Sequence, residues 1–230
     1  MRNRHTSPFE MVELLFHIKL PIFVMRQHVR HRTASLNEYS ARYSVLSDEF
    51  YFPGYERELG QSQVNKQKSS GFLTDSQVSE FMEFLDESYS VSYNNYKKSL
   101  DMGISREVSR AQLPVANYTE IYWKIDLHNF FHYNGLRDDP GHAQTEIVEL
   151  AKLMYEMVKV HVPISCKAFE DYRKNSVSFS AQERKLLSNL INYHLFTDED
   201  KMKSLENQFS EYLSAKEIIE FRNKIISLFE

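Results

Sequence analysis

Cysteine is nearly absent from this chain: Cys166 is the only one in 230 residues. One thiol can neither close an internal disulfide nor build a multi-thiolate metal centre, so a reducing, cytoplasmic setting is expected. Glycine is scarce too, with 6 residues where average usage of about 7% would supply roughly 16. Phosphate loops of the G-x-G-x-x-G or Walker kind are therefore excluded, and any nucleotide has to be held by side chains. Long apolar runs are missing: the best stretch, Val12 to Val29, is interrupted by Lys19 and Arg26 and falls short of the roughly 20 residues of a membrane span. The opening MRNRHTSPFE carries no signal-peptide apolar stretch. Charge of one sign does not dominate either, since 28 Lys+Arg against 32 Asp+Glu leave a net −4 and a pI near 6.2. What the chain does have is 16 Phe, 14 Tyr and 1 Trp within 42% hydrophobic residues. That is ample area for a core, and it excludes disorder of the whole chain.

Val12, Leu14, Phe16, Ile18 and Leu20 recur at period 2, which predicts a strand over residues 9–20 with one apolar face. Pro21 suits the first turn of a short helix ending near Arg30-His31-Arg32. Residues 54–76 are polar and rich in Gln, Ser and Lys, the texture of a surface loop. Val78, Phe81, Met82, Leu85, Tyr89, Ser92 and Tyr96 mark an amphipathic helix over about 77–100, closed by Asp101-Met102-Gly103. A short helix from Ser105 stops at Pro114, a second strand covers 115–126, and Leu127 to Tyr133 reads as helix. Trp123 and Tyr122 are both read as core. From His142 to Val162, Ile147, Leu150, Ala151, Met154, Met157, Val158 and His161 share one helical face. Ser180 to Glu183 and Ser214 to Glu217 are capping-box candidates in a helical tail.

The expected fold is α/β (α+β): a helix-rich domain over 1–175 with a central, mainly antiparallel sheet packed by long helices, then a helical C-terminal extension over 176–230.

The densest polar cluster runs from Gln27 to Arg42. Its arginines can grip phosphate bidentately, while Ser, Asn and backbone N–H groups complete the shell, so it is a nucleotide-binding candidate without glycines. Two other chemistries are open. His128 and His132 stand i, i+4 on a predicted helix with His142, Asp138 and Asp139 nearby, a spacing that can bind zinc. Arg26, Arg30, Arg32 and Arg42 lie among Phe23, Tyr39 and Tyr43 as in a nucleic-acid-binding module, against which the acidic balance argues. Ser40 has no local His-Asp relay and reads as a contact rather than a nucleophile, and Cys166 reads as packed core.

Arg30-His31-Arg32, seven residues, then Ser40, extended by Ser35, Asn37, Glu38 and Arg42, resembles the signature of the flavin-dependent thymidylate synthases. Further stretches agree in order: His5 to Glu10, Pro21 to Val24 with Arg26-Gln27, Gln61-Ser62 with Asn65-Lys66-Gln67, Arg110 before Leu113-Pro114, Asp126 to Asn129, and Leu136-Arg137 before His142-Ala143-Gln144 and Glu146. The resemblance covers residues 4–172 and implies a homotetramer with shared active sites. It implies FAD as cofactor, NADPH and methylenetetrahydrofolate as co-substrates, and conversion of dUMP to dTMP, with no membrane or nucleic-acid partner.

By the same resemblance dUMP falls to Gln27, Arg30, Glu38, Tyr39, Ser40, Ala41, Arg42, Arg110 and Arg137. FAD falls to Ser7, Arg30, His31, Arg32, Glu38, Asp126, His128 and His132, and no metal is implied. Arg137 takes the catalytic role, favouring ionisation of the pyrimidine ring nitrogen. Relative to the family, the N-terminal segment ahead of His5 reads as missing, which leaves an inactive truncated member as an alternative. One residue reads as inserted between Arg137 and His142, and the tail after Asn175 has no counterpart in shorter members.

Overall fold

The alternating segment after Val12 finds its partner in the segment after Asn117. In the computed structural model, which describes residues 1, 5–54, 57–64, 66, 68–191, 196, 198, 200–201 and 208–229, β1 (Glu13–Pro21) runs antiparallel to β3 (Tyr118–Asp126). A third strand, β2 (Ser35–Glu38), pairs antiparallel with the other edge of β3, giving the order β1-β3-β2. The register sets Phe16 opposite Trp123 and Ile18 opposite Ile121, so the inward face is a row of large apolar pairs. The same alternation corrects the reading of Tyr122: neighbours on a strand face opposite ways, and with Trp123 1% exposed, Tyr122 is 53% exposed and stacks on His17 at 4.7 Å.

Ahead of β1, residues 7–10 form a single helical turn, α1 (Ser7–Glu10), rather than strand. Pro8 in its first turn has the fixed φ that a helix start favours. β2 has no counterpart in the residue pattern, because Ser-Leu-Asn-Glu has no β-branched residue and a single apolar one. Pairing with β3 makes it a strand, and its short polar character is what a sheet edge tolerates.

Helices cover the inward face. α2 (Ile22–His28) follows Pro21 directly, and α5 (Leu127–Arg137) starts at Asp126, whose carboxylate accepts from the Asn129 N–H at 2.9 Å. α5 buries Leu127, Phe130, Phe131, Tyr133 and Asn134 and continues past Tyr133 to Arg137. Against it lies α6 (Thr145–His161), burying Ile147, Val148, Ala151, Met154, Tyr155 and Val158. Met157, expected on that face, is 54% exposed, and His161 is exposed as well. The stripe is centred toward Val148 and Tyr155, which leaves Met157 roughly 120° away at 3.6 residues per turn. α7 (Pro163–Phe169) carries Cys166 into the core beside Tyr155, where burial pushes the thiol up, and a π turn follows over Glu170–Lys174.

α3 (Asp75–Asp101) opens on a Thr74/Gln77 capping box and closes before Gly103, whose φ of +82° suits glycine. Only Tyr89 and Tyr96 of its expected face are buried. They seat the C-terminal half on residues 46–52: Tyr96 OH accepts from the Leu46 N–H, and Tyr89 OH donates to the Tyr51 carbonyl. Phe81 and Phe84 on the other half are exposed. α4 (Arg106–Ser109) and a 3₁₀ turn at Arg110–Gln112 lead back to β3.

The described residues form two compact units, Met1–Asn175 and Ser176–Glu230. The second holds α8 (Ala181–Leu190) and α9 (Ala215–Ile226), opened by the Ser180/Glu183 and Ser214/Glu217 capping boxes, with Phe209 edge-on to Phe221 at 5.6 Å. No described helix is long and apolar enough to cross a membrane.

Candidate active site

The site begins where α2 ends. At its inward face His28 is fully buried, its ring edge-on to Trp123 at 4.3 Å and its Nδ1 sharing a hydrogen bond with Tyr133 Oη at 2.9 Å. Burial first, then the charges of His31 and Arg137, push the His28 imidazole down to about 4. His31, 9% exposed with Nε2 2.9 Å from Thr33 Oγ1, is likewise pushed to about 4 by burial, then by His132 and Arg137, with Asp126 opposing. Both rings are therefore neutral near pH 7. Burial also raises the Tyr133 hydroxyl, which stays protonated.

Arg137, the last residue of α5, meets this cluster. Its Nη2 donates to the Gln27 carbonyl at 3.1 Å, and the Gln27 amide donates to the side chain of Gln144 just ahead of α6. Among the described residues nothing pairs with Arg137 Nε or His28 Nε2, both buried. A guanidinium held this way beside neutral imidazoles is a preorganised positive charge with donor capacity to spare, suited to an anion that develops during a reaction.

The signature segment follows the sheet edge. Glu38 accepts from Thr119 Oγ1 at 2.7 Å, and the Tyr39 N–H donates to the Glu120 carbonyl at 2.8 Å. Ser40 Oγ accepts from the Arg42 N–H at 3.3 Å, Arg42 pairs with Glu107 at 3.1 Å across exposed side chains, and Arg110 stands on the next turn. Ala41 lies between Ser40 and Arg42 in this turn. Arg30 and Arg32 are exposed and have no ion-pair partner among the described residues. The fold thus joins Gln27 to Arg137, His31 to His132 with ring centroids 5.7 Å apart, and Arg42 to the Glu107 turn. No hydrogen bond or ion pair among the described residues links the Arg42 group to Arg137. Asn65 and Gln67 of the loop motif lie outside the described residues.

A cleft of about 770 Å³ opens between α1, α5 and the end of the first unit. Phe9, Phe131 and Phe169 give it an apolar floor, with Phe131 stacked on Phe169 at 4.6 Å, while His5, His128, Asn129 and His132 supply polar walls. Ser7, on α1, and Asp126, which caps α5, are not among the residues that line it. The zinc reading of the histidines is not supported. Among the described residues no three His, Cys, Asp or Glu side chains gather as ligands; His142 is taken by Asp139 at 2.8 Å and Asp138 by Lys174 at 2.5 Å.

Several site residues had no role in the sequence reading. His28 and Tyr133 are ordinary apolar-face positions until α2 and α5 bring them together. Arg57 and Glu146 are distant in sequence and meet as a buried pair, Nε to Oε1 2.7 Å, with Tyr51 Oη donating to the same oxygen at 2.6 Å. Burial raises Glu146, yet the bonds from Arg57 and Tyr51 outweigh it and hold the carboxyl below its usual range. The only sequence signal was the position of Glu146 beside Gln144 in the resemblance motif.

A basic segment on a sheet edge, a half-buried arginine and an aromatic-floored cleft in one α/β unit are the features that the comparison with known proteins has to match. The family model of the thymidylate synthase complementing protein matches residues 1–164, and the chain belongs to that family. It is 48% identical over 192 residues to the flavin-dependent thymidylate synthase of Treponema denticola, covering 83% of this chain and 72% of the relative. It is 47% identical over 182 residues to that of Dictyostelium discoideum, covering 79% and 59%. Among solved structures it is similar to the UMP/dUMP methylase PolB of Streptomyces cacaoi bound with 5-Br UMP, at a TM-score of 0.72 and 32% identity, over 76% of this chain and 82% of that one. The chain thus spans about three fifths to three quarters of the length of the curated relatives named here.

Proposed function

We propose that this chain is a flavin-dependent thymidylate synthase, converting dUMP to dTMP with methylenetetrahydrofolate as one-carbon donor and NADPH as reductant. The observation that carries the reading is the 3.1 Å bond from Arg137 to the Gln27 carbonyl, which unites in one chain two residues that the family resemblance assigns to the nucleotide.

The cleft suits a flavin: Phe9, Phe131 and Phe169 offer an aromatic, apolar lining for a tricyclic ring, and His5, His128, Asn129 and His132 offer hydrogen bonds at its edge. Ser7, Asp126, His128 and His132 would hold the FAD, with Arg30, His31, Arg32 and Glu38 reaching it from the signature segment. When bound, the flavin supplies hydride-transfer chemistry, and the folate leaves as tetrahydrofolate.

The chain's own residues orient and charge the substrate. Arg42, Arg110 and Arg30 grip the phosphate with Ser40 and the backbone at Tyr39 and Ala41, and Gln27 and Glu38 fix the nucleoside. Arg137 favours loss of the proton from the ring nitrogen between the two carbonyls, which raises the electron density at C5 where the new carbon attaches. The neutral state of His28 and His31 leaves Arg137 as the local positive charge. Arg30 and Arg32, exposed in the single chain, suit a homotetramer in which neighbouring copies complete each other's sites.

The decisive experiment supplies purified protein with FAD and follows NADPH oxidation with and without dUMP, then dTMP formation on adding methylenetetrahydrofolate. Flavin-linked oxidation with dTMP as product is expected; flavin binding without any dUMP interaction would refute the assignment.

A further inference from the structure

Glu146 is the second residue of α6, where the helix dipole already favours an acid. Its carboxylate is nonetheless held by far more than a helix start needs. Arg57 grips it with two nitrogens, Nε to Oε1 at 2.7 Å and Nη2 to Oε2 at 3.3 Å, while Tyr51 Oη donates to Oε1 at 2.6 Å. The remaining Arg57 nitrogen, Nη1, donates to Ser69 Oγ at 2.8 Å and to the Glu58 carbonyl at 3.1 Å. The two charged side chains are only 16% and 11% exposed. Burying a bidentate pair is a poor way to gain stability, because desolvation offsets much of the attraction, but it fixes geometry tightly.

What it fixes leads to the nucleotide site. Two residues before Glu146, Gln144 holds the Gln27 amide, and the Gln27 carbonyl receives Arg137. Tyr51 is edge-on to Phe23 at 5.1 Å, tying the same carboxylate to α2, which carries Gln27. Beyond Arg57, Lys68 Nζ donates to the Pro140 carbonyl, in the turn that joins Arg137 to Gln144. The loop that starts at Arg57 thus holds that turn at Pro140 and the helix that follows it at Glu146.

We propose that Arg57, Glu146 and Tyr51 form a positioning clasp for the nucleotide site, setting the start of α6 so that Gln144 holds Gln27 and, through it, the support on which Arg137 rests. The proposal rests on the reading of Gln27 and Arg137 as dUMP-contacting groups. None of the three clasp residues touches substrate; each acts through Gln144 and Gln27.

The test uses the full chain with FAD and reads dUMP affinity by calorimetry, flavin occupancy by absorbance, and the melting temperature. Arg57→Met should weaken dUMP binding about 10- to 100-fold with flavin occupancy kept. Arg57→Lys, which keeps a charge for Glu146, should recover part of the loss, and Tyr51→Phe should weaken binding by a smaller factor. In a Gln144→Ala background, Arg57→Met should add less than it does alone, because both act on Gln27. Lys159→Met, which breaks the Lys159–Glu170 pair, should leave dUMP affinity unchanged even where it lowers the melting temperature. Wild-type affinity in Arg57→Met and Tyr51→Phe overturns the clasp, and if Arg57→Met does not fold, Tyr51→Phe decides by itself. A wild-type protein that binds no dUMP overturns the functional reading and the clasp with it. Wild-type binding with indifferent variants overturns the clasp alone.

Discussion

At the scale of single residues, Arg137 and Arg42 carry separable predictions because they sit in different surroundings. Arg137 is partly buried, bonded to a carbonyl and flanked by neutral imidazoles, and in the proposed reading its charge acts on the pyrimidine ring. Arg137→Ala should lower kcat by at least about 100-fold while FAD stays bound; dTMP formation at the wild-type rate would remove the catalytic role. Arg42 is exposed and shares its guanidinium with Glu107. Arg42→Ala should weaken dUMP binding by about 10-fold, read by calorimetry, and unchanged affinity would take it out of the phosphate shell. Both arginines were legible in the sequence through the spacing around Arg30-His31-Arg32 and before His142. The depressed imidazoles were not, because desolvation depends on which side chains surround a ring, and Trp123 and Tyr133 are about a hundred residues away from His28.

At the scale of elements, the start of α5 separates a capping role from the proposed flavin contact of the same side chain. Asp126 caps the helix through the Asn129 N–H and also receives the Asn129 amide at 2.6 Å. Asp126→Asn keeps an oxygen for the cap, so stability should hold, whereas Asp126→Ala should cost about 1 kcal/mol. If the carboxylate contacts flavin, both variants should release FAD more readily, and retention of FAD in both would confine Asp126 to capping. Element types were mostly readable: periodicity of two marked β1 and β3, and periodicity of 3.6 marked α3 and α6. β2 was not, since Ser-Leu-Asn-Glu, polar but for Leu36, becomes a strand only because β3 offers it an open edge. The exposure of Met157 shows the same limit, as helical spacing gives a stripe but its centre is set by what it packs against.

At the scale of the whole molecule, the neutral histidines predict an acid sensitivity. Their folded values lie near 4, below the ordinary 6.5, so in that window the unfolded chain binds protons that the folded chain refuses. Stability is therefore full above about pH 6.5 and falls as the pH drops toward 4. His28 alone should account for about 2 kcal/mol by pH 5, and the loss at Glu146 begins only lower, in the carboxylate range. Melting temperatures from pH 7.5 to 5 should decline, and His28→Gln should flatten that slope; an unchanged slope would mean that another group governs it. The sequence by itself determined the family, the α/β class, the apolar faces of β1 and β3, and the exclusion of glycine-based phosphate loops, because these follow from local spacing and composition. Only the tertiary structure decided that Arg137 rests on Gln27, that Arg57 reaches Glu146, that Ser35 to Glu38 close the sheet, and that His28 is neutral. Each of those depends on groups far apart in the chain being brought within a few ångströms, where burial and hydrogen bonding change what the same side chains do.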